Sequence, residues 1–187
     1  MTQPAGHAHL HETRIDGDAV FDGTLLHVRR DRVRLPDGGE AMREFVVHPG
    51  AVLVVPVLDD GRLVVERQFR YPLGRVFLEF PAGKIDPGEA PEATARREMI
   101  EETGYEAGEL APLAVLHPVI SYSTEAIQCF VARRLRHVGA RLDHGEFLEL
   151  ETPTLDELLA ALDRGEITDA KTVASLLLYA RWQQGPR

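Results

Sequence analysis

"GKIDPGEAPEATARREMIEETGY" runs from Gly83 to Tyr105, and its reading decides the fold. Ala90 to Thr103 reads as a helix, since Pro91 suits a first turn and Gly104 suits a left-handed C-terminal cap. At about 100° per residue from Ala93, the apolar Ala95, Met99 and Ile100 share an arc from roughly 200° to 340°. Glu101, Glu98 and Glu102 fall near about 80°, 140° and 180°, on the complementary side. Each like-charge pair at such spacings costs about 0.2–0.5 kcal/mol. The face is either simply solvated or set against something positive, and a hard divalent cation with oxygen ligands would reverse the penalty.

Outward from this helix the chain alternates strands and turns. Upstream, "AVLVVPVL" (Ala51 to Leu58) is nearly continuous in apolar residues, as in a strand covered on both faces. Asp59-Asp60-Gly61 turns it into "RLVVERQF", and "VFLEFPAG" forms a further strand ended by Pro81 and Gly83. Before these, residues 19–49 read as a β-hairpin turning at Pro36-Asp37-Gly38-Gly39. Residues 1–18 read as a flexible tail, where His7, His9 and His11 lack neighbours to fix a metal geometry. Downstream, strands are expected at 114–117, 126–132 and 147–150. Helices come next at 155–164, with Thr154 as N-cap, and at 170–183. Residues 50–187 thus form the main domain, a mixed sheet covered by helices.

Composition narrows the functions. The 187 residues carry a formal net charge of −9, which argues against a general nucleic-acid binder. A small anionic ligand would need a local positive site. No apolar run approaches the ~18 residues of a membrane span, and the N-terminus does not read as a secretory signal. Cys129 is the single cysteine, so no intrachain disulfide can form, and its neighbours suggest a buried thiol. A cytoplasmic address fits.

In Gly83–Tyr105 the residues Gly83, Glu89, Arg97, Glu98, Glu101, Glu102 and Gly104 match the pattern G-x5-E-x7-R-E-U-x-E-E-x-G-U, with Met99 and Tyr105 at the two U positions. Seven fixed types at fixed spacing would arise by chance in roughly one chain per million, so the match carries weight. The chain resembles Nudix hydrolases. "RQFRYP", "EFPAGKIDPGE" and "GEITDAKT" are most similar to the ADP-ribose pyrophosphatase branch. That resemblance implies an α/β/α sandwich with a mixed sheet, preceded by the antiparallel hairpin. It implies Mg²⁺- or Mn²⁺-dependent cleavage of ADP-ribose or a related nucleoside diphosphate sugar, and a homodimer. Glu98, Glu102, Glu101 and the Ala82 carbonyl correspond to metal ligands, with Glu101 also a candidate catalytic group. Gly83, Glu89, Arg97 and Gly104 correspond to structural positions, and Arg43, Arg70 and Glu79 to substrate-binding ones.

A general base must reach the attacking water. Glu125, in the polar loop "SYSTEA", is the first candidate, and Glu146, in "HGEFLE", the second. Arginine suits a diphosphate because its fork binds two oxygens. Glu66, Gln68 and Arg70 share one strand face by period two. Ile120 stands where the branch usually has proline, which leaves the preferred substrate open. The rival readings are a nucleoside triphosphate pyrophosphohydrolase of the same superfamily and a non-catalytic nucleotide-sensing module.

Overall fold

The computed structural model describes residues 6–142 and 145–185. Their contacts group them into two compact units, one within Met1–His48 and Val119–Glu125, the other within Pro49–Pro118 and Ala126–Arg187.

The first unit is built on an antiparallel sheet, β1 (Thr13–Asp22), β2 (His27–Arg34) and β3 (Glu40–Val47), in that order. The β2–β3 hairpin turns where expected, with the Leu35 N–H donating to the Gly39 carbonyl at 2.8 Å. Strand β1 corrects the reading of 1–18 as a tail, because residues 13–18 pair with β2 from Thr13↔Arg34 to Asp18↔Arg30. Nearly every β1 residue is exposed, so no apolar alternation marks it in the sequence. Backbone pairing and ion pairs such as Arg14–Asp31, at 3.0 Å, hold it instead. Residues 119–125 join this unit through the Val46 N–H to Tyr122 carbonyl bond, 2.9 Å.

The second unit holds a four-stranded mixed sheet in the order β7-β4-β9-β8: Ala82–Lys84, Ala51–Pro56, Ile127–His137 and Tyr105–Leu116. The pair β4–β9 is parallel and the others antiparallel. Every β4 residue is buried, as the continuous apolar run required. Leu53 and Val55 face one core with Leu158 and Ala161 of α2 (Leu155–Asp163) and Leu176 and Tyr179 of α3 (Ala170–Gln183). Val52 and Val54 face the other, with Ala95 of α1 (Pro91–Glu98) and Met99. The unit is therefore an α/β/α sandwich. A second sheet, β10-β5-β6, pairs Leu148–Glu151, Val65–Arg70 and Arg75–Glu79 antiparallel.

Thr154 caps α2 with a full capping box, its hydroxyl accepting from the Glu157 N–H while the Glu157 carboxylate accepts from the Thr154 N–H. Strands β8 and β9 outrun their expected bounds: β8 starts directly after Gly104, nine residues before the expected start, because its alternation is interrupted by Pro112 and a register shift beside it. Among the described residues, no helix is long and apolar enough to cross a membrane.

Candidate active site

The loop after β7 and helix α1 are tied together by one guanidinium. Arg97 donates to both Glu89 oxygens, from Nε at 3.2 Å and from Nη2 at 2.9 Å. Its Nη1 reaches Glu98 and Glu101, each at 2.9 Å, and Nη2 the Lys84 carbonyl at 3.4 Å. Hydrogen bonds from Arg97 and from Thr94 hold the Glu89 carboxyl down at about 2. Glu89 therefore stays anionic, and the loop cannot drift from the helix without breaking a charge-assisted fork.

After Glu98 the helix loosens into a π turn, Met99–Thr103, closed by Gly104 in the left-handed region at φ 71°. A uniform 100° per residue therefore misplaces the side chains beyond Glu98. Glu102, expected on the outer face, is buried at 5% exposure, and its Oε2 accepts from the Ala82 N–H at 3.0 Å. At Ala82 the expected role lay with the carbonyl; here the N–H of that residue orients Glu102. Glu98 lies over Gly83 so closely that a Cβ there would stand 2.0 Å from its carboxyl carbon.

The same turn holds another segment. The Gly104 carbonyl accepts from Val138 and Gly139 N–H, at 2.7 and 3.2 Å, and the Glu101 carbonyl accepts from the Arg141 N–H at 2.9 Å. The Gly139 and Ala140 backbone lies against Gly104, so that a Cβ would meet the Ala140 nitrogen at 2.6 Å.

Two further acids join this centre. Glu66 is 1% exposed, and its Oε2 has no hydrogen-bond partner. Burial pushes the Glu66 and Glu102 carboxyls well above the usual range. Repulsion from Glu66 adds to the shift at Glu102, and repulsion from Glu79 to that at Glu66. Glu98 is also raised, chiefly by burial. Glu146 adds to the repulsion at Glu66, Glu98 and Glu102, and its Oε1 accepts from Gln68 Nε2 at 3.3 Å.

Among the described residues no three Asp, Glu, His or Cys side chains converge on one point, because Arg97 draws Glu98 and Glu101 aside while Glu102 turns to Ala82. The donor set nevertheless fits a hard divalent ion. It consists of oxygens, it is crowded with mutually repelling carboxylates, and it includes a buried oxygen that nothing satisfies.

On the neighbouring sheet Arg70 meets Glu79 through both prongs, Nε to Oε1 at 2.7 Å and Nη2 to Oε2 at 2.9 Å. Glu79 also pairs with Lys171, which reaches Asp169 Oδ2 at 2.9 Å. Burial works to raise the Glu79 carboxyl, but Arg70 and Lys171 outweigh it and hold it below its ordinary value. A cavity of about 260 Å³ opens beside Arg70, Glu79 and Lys171, with Leu73 and Phe77 among its walls.

The other two expected residues lie in the first unit. Arg43 pairs with Glu12, its Nε donating at 2.9 Å, and the Glu125 N–H donates to Ser123 Oγ at 3.1 Å. Sequence reasoning named Glu66 only as a neighbour of Arg70 on one strand face and gave it no role, though a carboxylate inside the apolar run of "LVVERQF" was its signal. It gave none to Lys171 with Asp169, inside a motif quoted only for its resemblance.

Residues 47–176 match the family model described as NUDIX domain. The chain is 38% identical to the ADP-ribose pyrophosphatase of Bacillus subtilis (strain 168), over 89% of this chain and 91% of that one. It is also 38% identical to the methanol dehydrogenase activator of Bacillus methanolicus, over 88% and 90%. A crystal structure titled ADP compounds hydrolase superposes with a TM-score of 0.84 at 28% identity, covering 93% of this chain and 95% of the other. With the box residues in register, an α/β/α core and a family match over residues 47–176, the chain belongs to the NUDIX domain family.

Proposed function

We propose that this protein hydrolyses the pyrophosphate bond of ADP-ribose or a related nucleoside diphosphate sugar, giving AMP, or another nucleoside monophosphate, and a sugar phosphate. The observation that carries the proposal is the buried, mutually repelling carboxylate group on the box helix. The ADP-linked names of a 38% identical relative and of the superposed structure supply the substrate class.

Glu98, Glu101, Glu102 and the Ala82 carbonyl would hold Mg²⁺ or Mn²⁺, with the unpartnered Glu66 oxygen beside this group. A divalent ion held there would offset the diphosphate charge and acidify a water. Arg70 presents its guanidinium to the diphosphate oxygens, and Arg43 is the second candidate for that grip. Glu146 takes the proton from the attacking water, since its charge is felt at three of the acids. Glu125 is the alternative base. Water adds its oxygen to one phosphorus, the bridging P–O bond breaks, and the departing phosphate leaves as an anion. The protein acts as a cytoplasmic homodimer, which the exposed Val20, Phe21 and Leu25 of the first unit suit.

The test incubates the pure protein with ADP-ribose, other nucleotide sugars and nucleoside triphosphates, with and without Mg²⁺. AMP release from ADP-ribose that requires the metal supports the proposal. Turnover of triphosphates alone, or binding without turnover, would refute it. A second reading, action on a partner dehydrogenase, is favoured by the similarity to the methanol dehydrogenase activator. It expects dehydrogenase stimulation that survives Glu102→Gln.

A further inference from the structure

We propose that Lys171 is a positioning residue: backed by Asp169, it fixes the Glu79 carboxylate so that Arg70 keeps one edge of its guanidinium presented to a diphosphate. The inference rests on the proposed hydrolysis, in which Arg70 grips the substrate.

A guanidinium carries five N–H donors in a planar fork. Glu79 takes Nε and one hydrogen of Nη2, which leaves a second two-pronged edge formed by Nη1 and the other Nη2 hydrogen. The two partners differ in depth, for the Arg70 side chain is 40% exposed and that of Glu79 3%. The carboxylate is the inner anchor and the guanidinium the outer tool.

That anchor has an adverse neighbour. Glu66 and Glu79 are register partners on β5 and β6, so two carboxylates share one face of the sheet and repel. Lys171 Nζ meets the same Oε2 that accepts Arg70 Nη2, which gives Glu79 a second cation. Lys171 is fixed in turn by Asp169, whose Oδ2 caps α3 by accepting from the Thr172 N–H at 3.0 Å and from Thr172 Oγ1 at 2.7 Å. A continuous path therefore runs from the start of α3 through Asp169, Lys171 and Glu79 to Arg70. Without Lys171 the carboxylate keeps one cation and one repelling neighbour, and the guanidinium regains the freedom of a long side chain. A group of two cations and two anions also becomes net negative where a diphosphate must land.

The experiment measures steady-state kinetics on ADP-ribose at saturating Mg²⁺ for Lys171→Met, Lys171→Arg, Arg70→Ala and Lys171→Met with Arg70→Ala. Folding is checked by circular dichroism. A buried carboxylate robbed of a partner can unfold a protein, so the charge-neutral pair Lys171→Met with Glu79→Gln is measured alongside. Misplacing a substrate-gripping group gives a loss on the order of 10- to 100-fold, here expected in KM with kcat held within about threefold. Lys171→Arg should recover most of the loss, the neutral pair should reproduce it, and the double variant should be no worse than Arg70→Ala alone. An unchanged KM in the folded Lys171→Met protein or in the neutral pair overturns the inference, as do losses that multiply with Arg70→Ala. Unaltered kinetics in Arg70→Ala would instead remove the Arg70 grip itself, and the inference with it.

Discussion

Replacing Gly83 by alanine should separate activity from stability. Gly83 sits in β7 opposite Val52, and its φ is not positive, so the backbone accepts an L side chain. The obstacle is the Glu98 carboxyl, 2.0 Å from the new methyl where 3.4 Å is ordinary contact. Glu98 must retreat by about 1.4 Å from Gly83 and so from its place on Arg97. A displacement of about 1 Å at a reacting centre costs on the order of 100-fold in rate, or about 2.7 kcal/mol of barrier. The folded state loses little, because the end of a side chain moves while an alanine in an allowed conformation gains roughly 0.4–1 kcal/mol from the unfolded chain. At this length that amounts to a change in Tm of about 1–4 °C. The assay pairs kcat on ADP-ribose at saturating Mg²⁺ with thermal unfolding followed by circular dichroism. Turnover within about threefold of wild type, or a loss explained wholly by unfolding, would refute the placement of Glu98 as a metal-holding group.

Glu102→Gln should abolish turnover yet stabilise the metal-free protein at pH 8 by a few degrees, roughly 1–2 kcal/mol. The Glu102 carboxyl is raised in the fold, so the native state binds the extra proton and the wild-type protein loses stability as pH climbs above the ordinary carboxyl range. The Tm difference between variant and wild type, measured in chelator, should shrink toward pH 4, and a constant difference would contradict the burial of that charge. Glu89 has the opposite sign: its depressed carboxyl gives stability that is complete above its ordinary value of 4.5 and is lost as pH falls through about 2. Thermal scans of Glu89→Gln should therefore lie below wild type at pH 6 and meet it near pH 2. For the proton acceptor, Glu146→Gln should lower kcat by about 10²- to 10⁴-fold and Glu125→Gln by little, and the reverse ranking would restore Glu125 as the base.

What could be read from the chain was set by local constraints. Pro91 and Gly104 mark the two ends of the box helix, and the apolar run from Ala51 prescribes a strand with both faces covered; neither depends on distant partners. The inward turn of Glu102 could not be read, because it depends on a π turn that no residue type announces. Strand β1 escaped because its residues are exposed and its partners, Asp31 and Arg32, come from another strand. Glu146 and Glu125 are both loop carboxylates with the same local signal, and only the folded chain brings Gln68 to Glu146. Lys171 and Glu79 lie ninety-two positions apart, beyond any periodicity.

The closing turn of the box helix is also a mooring. Three backbone hydrogen bonds, from Val138, Gly139 and Arg141, tie the chain leaving β9 to Gly104 and Glu101. The acids assigned to grip the cation thus take their bearings from the peptide framework of residues 138–141 as well as from their own helix. A substitution in residues 138–141 can therefore reach the carboxylate-bearing turn along main-chain links alone, without passing through any side chain.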